Sequence, residues 1–422
     1  MVDLSSQLGL LPWPPRWRER FQEVYHVLTM SQFPPQAFPF PTVHQPRLFD
    51  QDVEEIQENP HYLSDQVVTY IGNKRSLIPF IDRAVRTVKE QLDKDKIDIF
   101  EPFTGSGIVA RYFKQHASRL IVNDLENYTI PLGKCYLANR VDVDFKELCE
   151  WNHRLSFLLE SQDQLNEGFI TELYAPRDES SIKPDERVFY TLENALRIDT
   201  ARQFISTIPS NVQPFFLAPL LAQASVHANT SGVFKGFYKD RETGIGCYGG
   251  RKRDALSRIC APIKIPLPIL SNFSSHVEIY QNDAAVVARQ IPRVDLAYLD
   301  PPYNQHPYGS NYFMLNLITN YQRPTQISRV SGIPVNWNRS KYNQRSQASA
   351  AFWNLITHIK AKYIIVSYNA EGFISYENMI SMLIKLGNLS IFEKQYNTFR
   401  ACRNLANRPK HVTEYLFLVE VK

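Results

Sequence analysis

The sequence predicts an α/β protein: a doubly wound sheet of seven strands, broken by a long and mainly helical insertion. Three observations carry this. From Ser64 onward short apolar runs alternate with helix-length stretches, the rhythm of a largely parallel sheet. The first such run leads straight into a glycine-rich turn, F-E-P-F-T-G-S-G at positions 100–107. Between about Gly133 and Asn272 the rhythm lapses, and apolar residues recur at helical spacing, as in Phe145, Leu148, Leu155 and Leu158 and again in Val188, Leu192 and Leu196.

The expected strands are residues 97–100, 120–123, 277–280, 296–299, 363–367, 389–393 and 414–421. A helix-compatible run, 108–114, follows the glycine turn. Residues 1–63 are rich in Pro, Gln and aromatic side chains, show no sustained period, and are expected to form an N-terminal extension. Residues 64–135 and 273–422 are then expected to make one domain around the sheet, and residues 136–272 the inserted domain. The end of the insertion, 232–250, is dense in glycine and aromatics and reads as loops or a hairpin.

A chain of 422 residues, 44% hydrophobic and 21% charged, has the composition of a globular protein. Its longest apolar stretch, 215–226, is too short to span a bilayer and contains Pro219 and Gln223. The N-terminus lacks the features of a secretory signal, so a cytoplasmic location is expected. The five cysteines, Cys135, Cys149, Cys247, Cys260 and Cys402, lack C-x-x-C spacing and are expected to be reduced and structural, with no metal site. Net charge is only +4, but it is concentrated. Lys235, Lys239, Arg241, Arg251, Lys252, Arg253 and Arg258 lie among Phe234, Phe237, Tyr238 and Tyr248, a mixture suited to a phosphate backbone.

The most informative stretch is Asp300, Pro301, Pro302 and Tyr303, directly after the apolar run 296–299. Proline fixes its own φ and extends the residue before it, so the Asp300 carboxylate and the Pro301 carbonyl can be held close together. Two fixed acceptors beside an aromatic ring suit a planar exocyclic amine, whose base can stack on Tyr303. The glycine turn at Phe103, Gly105 and Gly107 lets a ligand approach bare backbone, and Asp124, ending the second strand, can bind both hydroxyls of a ribose. The G-x-G-x-x-G spacing of a dinucleotide site is missing; a nucleoside without pyrophosphate points to S-adenosylmethionine. A third element, Tyr70-Ile71-Gly72-Asn73-Lys74-Arg75, precedes the first strand and offers a cation that could reach a carboxylate or phosphate.

In this order, Y-I-G-N-K-R, F-x-G-x-G, an insertion and D-P-P-Y, the sequence resembles the Dam-like alpha group, or D12 class, of DNA N6-adenine methyltransferases over most of residues 70–421. Lesser similarities lie at 281–283, 367–372 and 400–415. The resemblance implies a Rossmann-like methyltransferase sheet with an inserted target recognition domain, S-adenosylmethionine as cofactor and double-stranded DNA as partner, with or without a companion restriction endonuclease. It further implies that Tyr70, Lys74, Phe103, Gly105, Gly107, Asp124 and Asp283 form the cofactor pocket, with Lys74 near the methionine end or the target base. Asp300, Pro301, Pro302 and Tyr303 would hold a flipped-out adenine. Lys235, Lys239, Arg241, Arg251, Lys252 and Arg253 would bind DNA. Tyr70 stands where some members carry Trp. Rival readings are an N4-cytosine enzyme, an RNA or protein amide methyltransferase, and a DNA-binding protein with a vestigial cofactor pocket; Asp rather than Ser at position 300 favours adenine.

Overall fold

In the computed structural model all seven expected strands form: β1 (Ile97–Glu101), β2 (Ala117–Asp124), β3 (His276–Gln281), β4 (Val294–Leu299), β5 (Ala361–Asn369), β6 (Gly387–Asn397) and β7 (His411–Val421). The structure describes residues 56–422 except positions 66, 251–252 and 398–410 and the side chains of 396–397 and 411–412. Residues 1–55 of the expected extension, Cys402, Arg251 and Lys252 therefore lie outside the described residues.

The strands make one sheet in the order β3-β2-β1-β4-β5-β7-β6. β1 to β5 run parallel, and β7 enters antiparallel between β5 and β6. From β1 the chain winds outward to β2 and β3, then returns to β4 on β1's other side. Neighbouring loops at the carboxyl ends of β1 and β4 thus diverge to opposite faces and open a crevice, the usual ligand position in such sheets.

The main helices are α1 (Ile78–Leu92), α2 (Ile108–Phe113), α3 (Thr129–Tyr136), α4 (Phe145–Glu160), α5 (Phe169–Tyr174), α6 (Leu192–Thr207), α7 (Pro214–Val226), α8 (Ala284–Gln290), α9 (Phe313–Asn320), α10 (Ala348–Ile356) and α11 (Tyr376–Leu383). Along β4, Leu296 and Tyr298 pack with α1 and α2 on one face, while Ala297 and Leu299 pack with α8, α10 and α11 on the other. Burial on both faces explains why β4 and β5 read as nearly unbroken apolar runs.

The insertion is mainly helical, as its spacing predicts. Asp144 caps α4 by accepting from the N–H groups of Lys146 and Glu147, and Thr191 caps α6 by accepting from Asn194. The apolar stretch at 215–226 is α7, buried almost all round; among the described residues no helix is long and apolar enough to cross a membrane. Phe216 and Leu220 of α7 share one apolar cluster with Tyr128 and Leu132 beside the sheet and with Phe313 and Leu317 of α9. Buried Asp199 ties α6 to α5 and to the end of α9, accepting from Thr171 N–H at 2.7 Å and the Tyr321 hydroxyl at 2.8 Å.

The expected hairpin forms with Lys239 paired to Gly246. Arg258 does not join its basic face. It is half-buried, and its guanidinium donates to the carbonyls of Ala228 and Thr230 just beyond α7, so it satisfies orphan backbone acceptors near a helix end instead of offering charge to a partner.

Candidate active site

At the carboxyl ends of β1, β2 and β4 one cleft is lined together by Tyr70, Lys74, Phe103, Gly105, Asp124 and Asp283, and by Asp300 and Pro302. The glycine corner and the Asp-Pro-Pro bend thus face the same space. Gly105 (φ +53°) and Gly107 (φ +78°) both adopt left-handed backbone, which a side chain would strain. At Gly105 there is also no room: a Cβ would meet the Tyr70 ring at 3.0 Å. Gly107 is the N-cap of α2 and is absent from the cleft wall.

Buried Asn123 fixes the corner from beneath. Its amide donates to the carbonyls of Pro102 and Asn282, both at 3.1 Å, and its Oδ1 accepts from Asn282 N–H, joining the loops after β1, β2 and β3. Asp124 follows. Its Oδ2 accepts from Gly105 N–H at 2.8 Å and its Oδ1 from Glu126 N–H at 3.0 Å; burial nevertheless pushes its carboxyl above the ordinary range. Asp283 caps α8 through Ala285 N–H.

Tyr70 belongs to an aromatic stack. Its ring lies nearly parallel to Tyr308 and Tyr312, at 5.0 and 4.7 Å between centroids, and those two are 6.0 Å apart. Rings on opposite faces of Tyr70 would be separated by more than about 6.6 Å at ordinary stacking distance, so both cover one face. The ring also closes on Gly105, and Tyr70 lines the cleft.

Lys74 sits where two distant parts of the chain converge. Its buried ammonium lies 3.1 Å from Asp300 Oδ1 and 2.8 Å from Oε1 of Glu414, which is fully buried in β7. Ser367 of β5 donates to the same Glu414 oxygen at 2.7 Å. Burial alone would lower the Lys74 pKa, but Asp300 and Glu414 outweigh it and hold the ammonium well above its ordinary range. Burial pushes Asp300 up to about 6, against the pull of Lys74. Tyr303 flanks the pair: Lys74 Nζ is 5.7 Å from its ring centre, Tyr368 meets it edge-on at 6.0 Å, and its carbonyl accepts from Phe373 N–H. Pro301 is buried beneath the bend.

The structure adds residues to the expected set. Glu101, the last residue of β1, is 2% exposed and lines the cleft, and among the described residues its Oε2 has no hydrogen-bond partner. Burial, then the charges of Asp300 and Asp124, raise its pKa well above the usual carboxylate range. Glu126 is held by the amides of Asn316 and Asn338, and burial pushes it up to about 7. The signal for Glu101 was present, an acid ending a strand beside a glycine turn. Ser367 and Glu414 fall in the lesser similarities at 367–372 and 400–415, but nothing local pairs Glu414 with Lys74, 340 residues away.

Of the expected DNA contacts, Lys235, Lys239, Arg241 and Arg253 are exposed in and after the hairpin. None of them lines the cleft.

The sequence pattern of the D12 class of N6 adenine-specific DNA methyltransferases matches residues 70–382. The chain is 30% identical over 363 residues to the type II methyltransferase M.NlaIII of Neisseria lactamica, covering 84% of this chain and 99% of that protein. It is 27% identical, with the same coverage, to the type II methyltransferase M.CviAII of Paramecium bursaria Chlorella virus 1. It is 26% identical to the type II methyltransferase M.FokI of Planomicrobium okeanokoites, of which it spans 52%.

Proposed function

We infer the mechanism below for a chain that belongs to the D12 class of N6 adenine-specific DNA methyltransferases, and so transfers a methyl group to the exocyclic amine of adenine at a specific DNA sequence. One observation carries it: the Asp-Pro-Pro bend and the glycine corner open into one cleft.

We assign S-adenosylmethionine as the methyl donor. Its sulfonium and ammonium charges match a cleft walled by Glu101, Asp124, Asp283 and Asp300, and the orphaned Oε2 of Glu101 fits a donor-rich cationic group. The acceptor capacity that Asp124 keeps beyond its two backbone bonds suits the ribose hydroxyls, and Tyr70 and Phe103 supply aromatic rings to the same cleft. When bound, the donor supplies an electrophilic methyl group; the remaining work is done by the chain.

An adenine inside a duplex cannot reach this cleft, so the base is extruded, at a few kcal/mol of unstacking. Tyr303 receives it by stacking. With Oδ1 of Asp300 engaged by Lys74, Oδ2 and the Pro301 carbonyl accept the two N6 hydrogens and localise the nitrogen lone pair. No strong base is needed, because the amine becomes acidic once methylated and releases its proton to water or to Asp300, which with a pKa of about 6 is ionised at neutral pH. Lys74 is a positioning residue, held by Glu414 and holding Asp300. Catalysis is then mostly orientation and electrostatics.

We assign target recognition to the insertion, 136–272, with Lys235, Lys239, Arg241 and Arg253 on phosphates and Arg251 and Lys252, outside the described residues, beside them. The relatives' description as type II methyltransferases supports a companion restriction endonuclease. Asp300→Ala should lower methyl transfer to duplex DNA by at least about a thousandfold while duplex affinity stays within about tenfold. Retained turnover would remove Asp300 from the mechanism.

A further inference from the structure

Between Asp300 and Glu371 the chain contains no acidic residue, although its average of 43 in 422 would put about seven there; the same seventy positions carry seven lysines and arginines. The middle of this stretch, 321–347, is an ordered strap. It opens with a second hairpin, in which Ile327 pairs with Pro334. The helical insertion clamps that hairpin by its backbone: Arg187 donates to the carbonyls of Ser328 and Arg329, and the Tyr174 hydroxyl to that of Gly332 at 2.7 Å. The adjoining residue Val188 supports the first hairpin through Asn229, which donates to the carbonyls of Val188 and Cys247. Both hairpins therefore stand on one shelf.

Beyond the hairpin the strap crosses the cleft. At one side Asn338 donates to the Leu125 carbonyl and to Glu126, next to Asp124. At the other, Asn343 donates to the Asn304 carbonyl at 2.7 Å, one residue past Tyr303, and Arg345 lies over Phe373, whose N–H binds the Tyr303 carbonyl. Arg339 and Lys341 fall between these anchors, at the rim. Arg329, Arg339, Lys341 and Arg345 are all exposed, and among the described residues none is paired with a carboxylate, whereas Arg323 at the start of the strap is neutralised by Glu172.

We propose that the strap is a second DNA-binding element, distinct from the first hairpin: Arg329, Arg339, Lys341 and Arg345 grip phosphates of the strand whose adenine enters the cleft. The proposal rests on the DNA-methylating role given above. Four unneutralised cations on a pre-ordered backbone spanning the cleft suit a polyanion running past its mouth, and each phosphate contact adds about 0.9 to the slope of log affinity against log salt. The anionic oxygens could also belong to the donor's carboxylate, since Arg339 and Lys341 line the cleft; the variants separate the two.

The test uses the full chain and a duplex that the wild type methylates. Arg329→Gln with Arg345→Gln should flatten the salt slope by about two units, and the pair replaced by lysine should restore it. Arg339→Gln with Lys341→Gln should flatten it similarly, with S-adenosylmethionine affinity by calorimetry within about twofold of wild type. An unchanged slope in both glutamine pairs, or a loss confined to S-adenosylmethionine affinity, overturns the strap. Lys235→Gln with Lys239→Gln and Arg241→Gln is the control. A flattened slope there with none in the strap variants sinks the strap alone, whereas a wild-type chain that leaves adenine unmethylated removes the role beneath it.

Discussion

Asp300 is the residue on which site chemistry and pH meet. Its pKa of about 6 lies above that of an ordinary aspartate because the carboxylate is desolvated, with Lys74 offsetting part of the cost. In the proposed mechanism Asp300 above that value is an anion that accepts from N6; below it the carboxyl is protonated and one acceptor becomes a donor. The value of kcat/KM should therefore fall tenfold per pH unit as pH drops below about 6, a limb that Asp300→Asn removes along with most of the activity. A flat profile down to pH 5 would show that the proton on Asp300 does not matter. The linkage to stability has the opposite sense: a raised carboxylate pKa contributes stability below about 3.9, the unfolded value, and that contribution is lost as pH rises through about 6. The site thus keeps a charged acceptor at neutral pH at the expense of folding free energy.

Elements meet around Lys74 of the loop before α1, whose buried cation is shared by Asp300 of the bend after β4 and Glu414 of β7, with Ser367 of β5 donating to Glu414. Removing one partner of a buried pair leaves the others charged and uncompensated. Lys74→Met should lower unfolding free energy by about 3–5 kcal/mol, measured in denaturant, and should move the pH limb of kcat/KM upward as Asp300 loses its counter-charge. Stability within about 1 kcal/mol of wild type would mean that solvent already screens the pair. The same logic separates two kinds of arginine around the two hairpins. Arg258 and Arg187 use their guanidiniums on backbone carbonyls and hold loops in place, while Arg329 and Arg345 are exposed, with Arg345 resting over the Phe373 ring.

For the whole molecule, one cleft joins loops from both halves of the sheet, so a ligand there should be felt globally. S-adenosylmethionine at about a hundred times its dissociation constant should stabilise the chain by about 2.7 kcal/mol and raise Tm. In Glu101→Gln, which loses the buried carboxylate, the rise at the same donor concentration should shrink by more than half. A full rise in that variant would place Glu101 outside the donor site.

The sequence by itself determined the seven strands, the helical insertion, the glycine corner and the Asp-Pro-Pro-Tyr bend, because each is written in neighbouring residues: apolar runs, helical spacing, glycines where φ is positive, prolines that stiffen a turn. It did not foretell that Glu414, held by Ser367, anchors Lys74, that Arg258 is used on loop carbonyls, or that the strap at 321–347 bridges the cleft. Those depend on which distant segments the sheet order brings together, and a buried charge acquires its partner, and a surface arginine its freedom, only when strands far apart in the chain become neighbours.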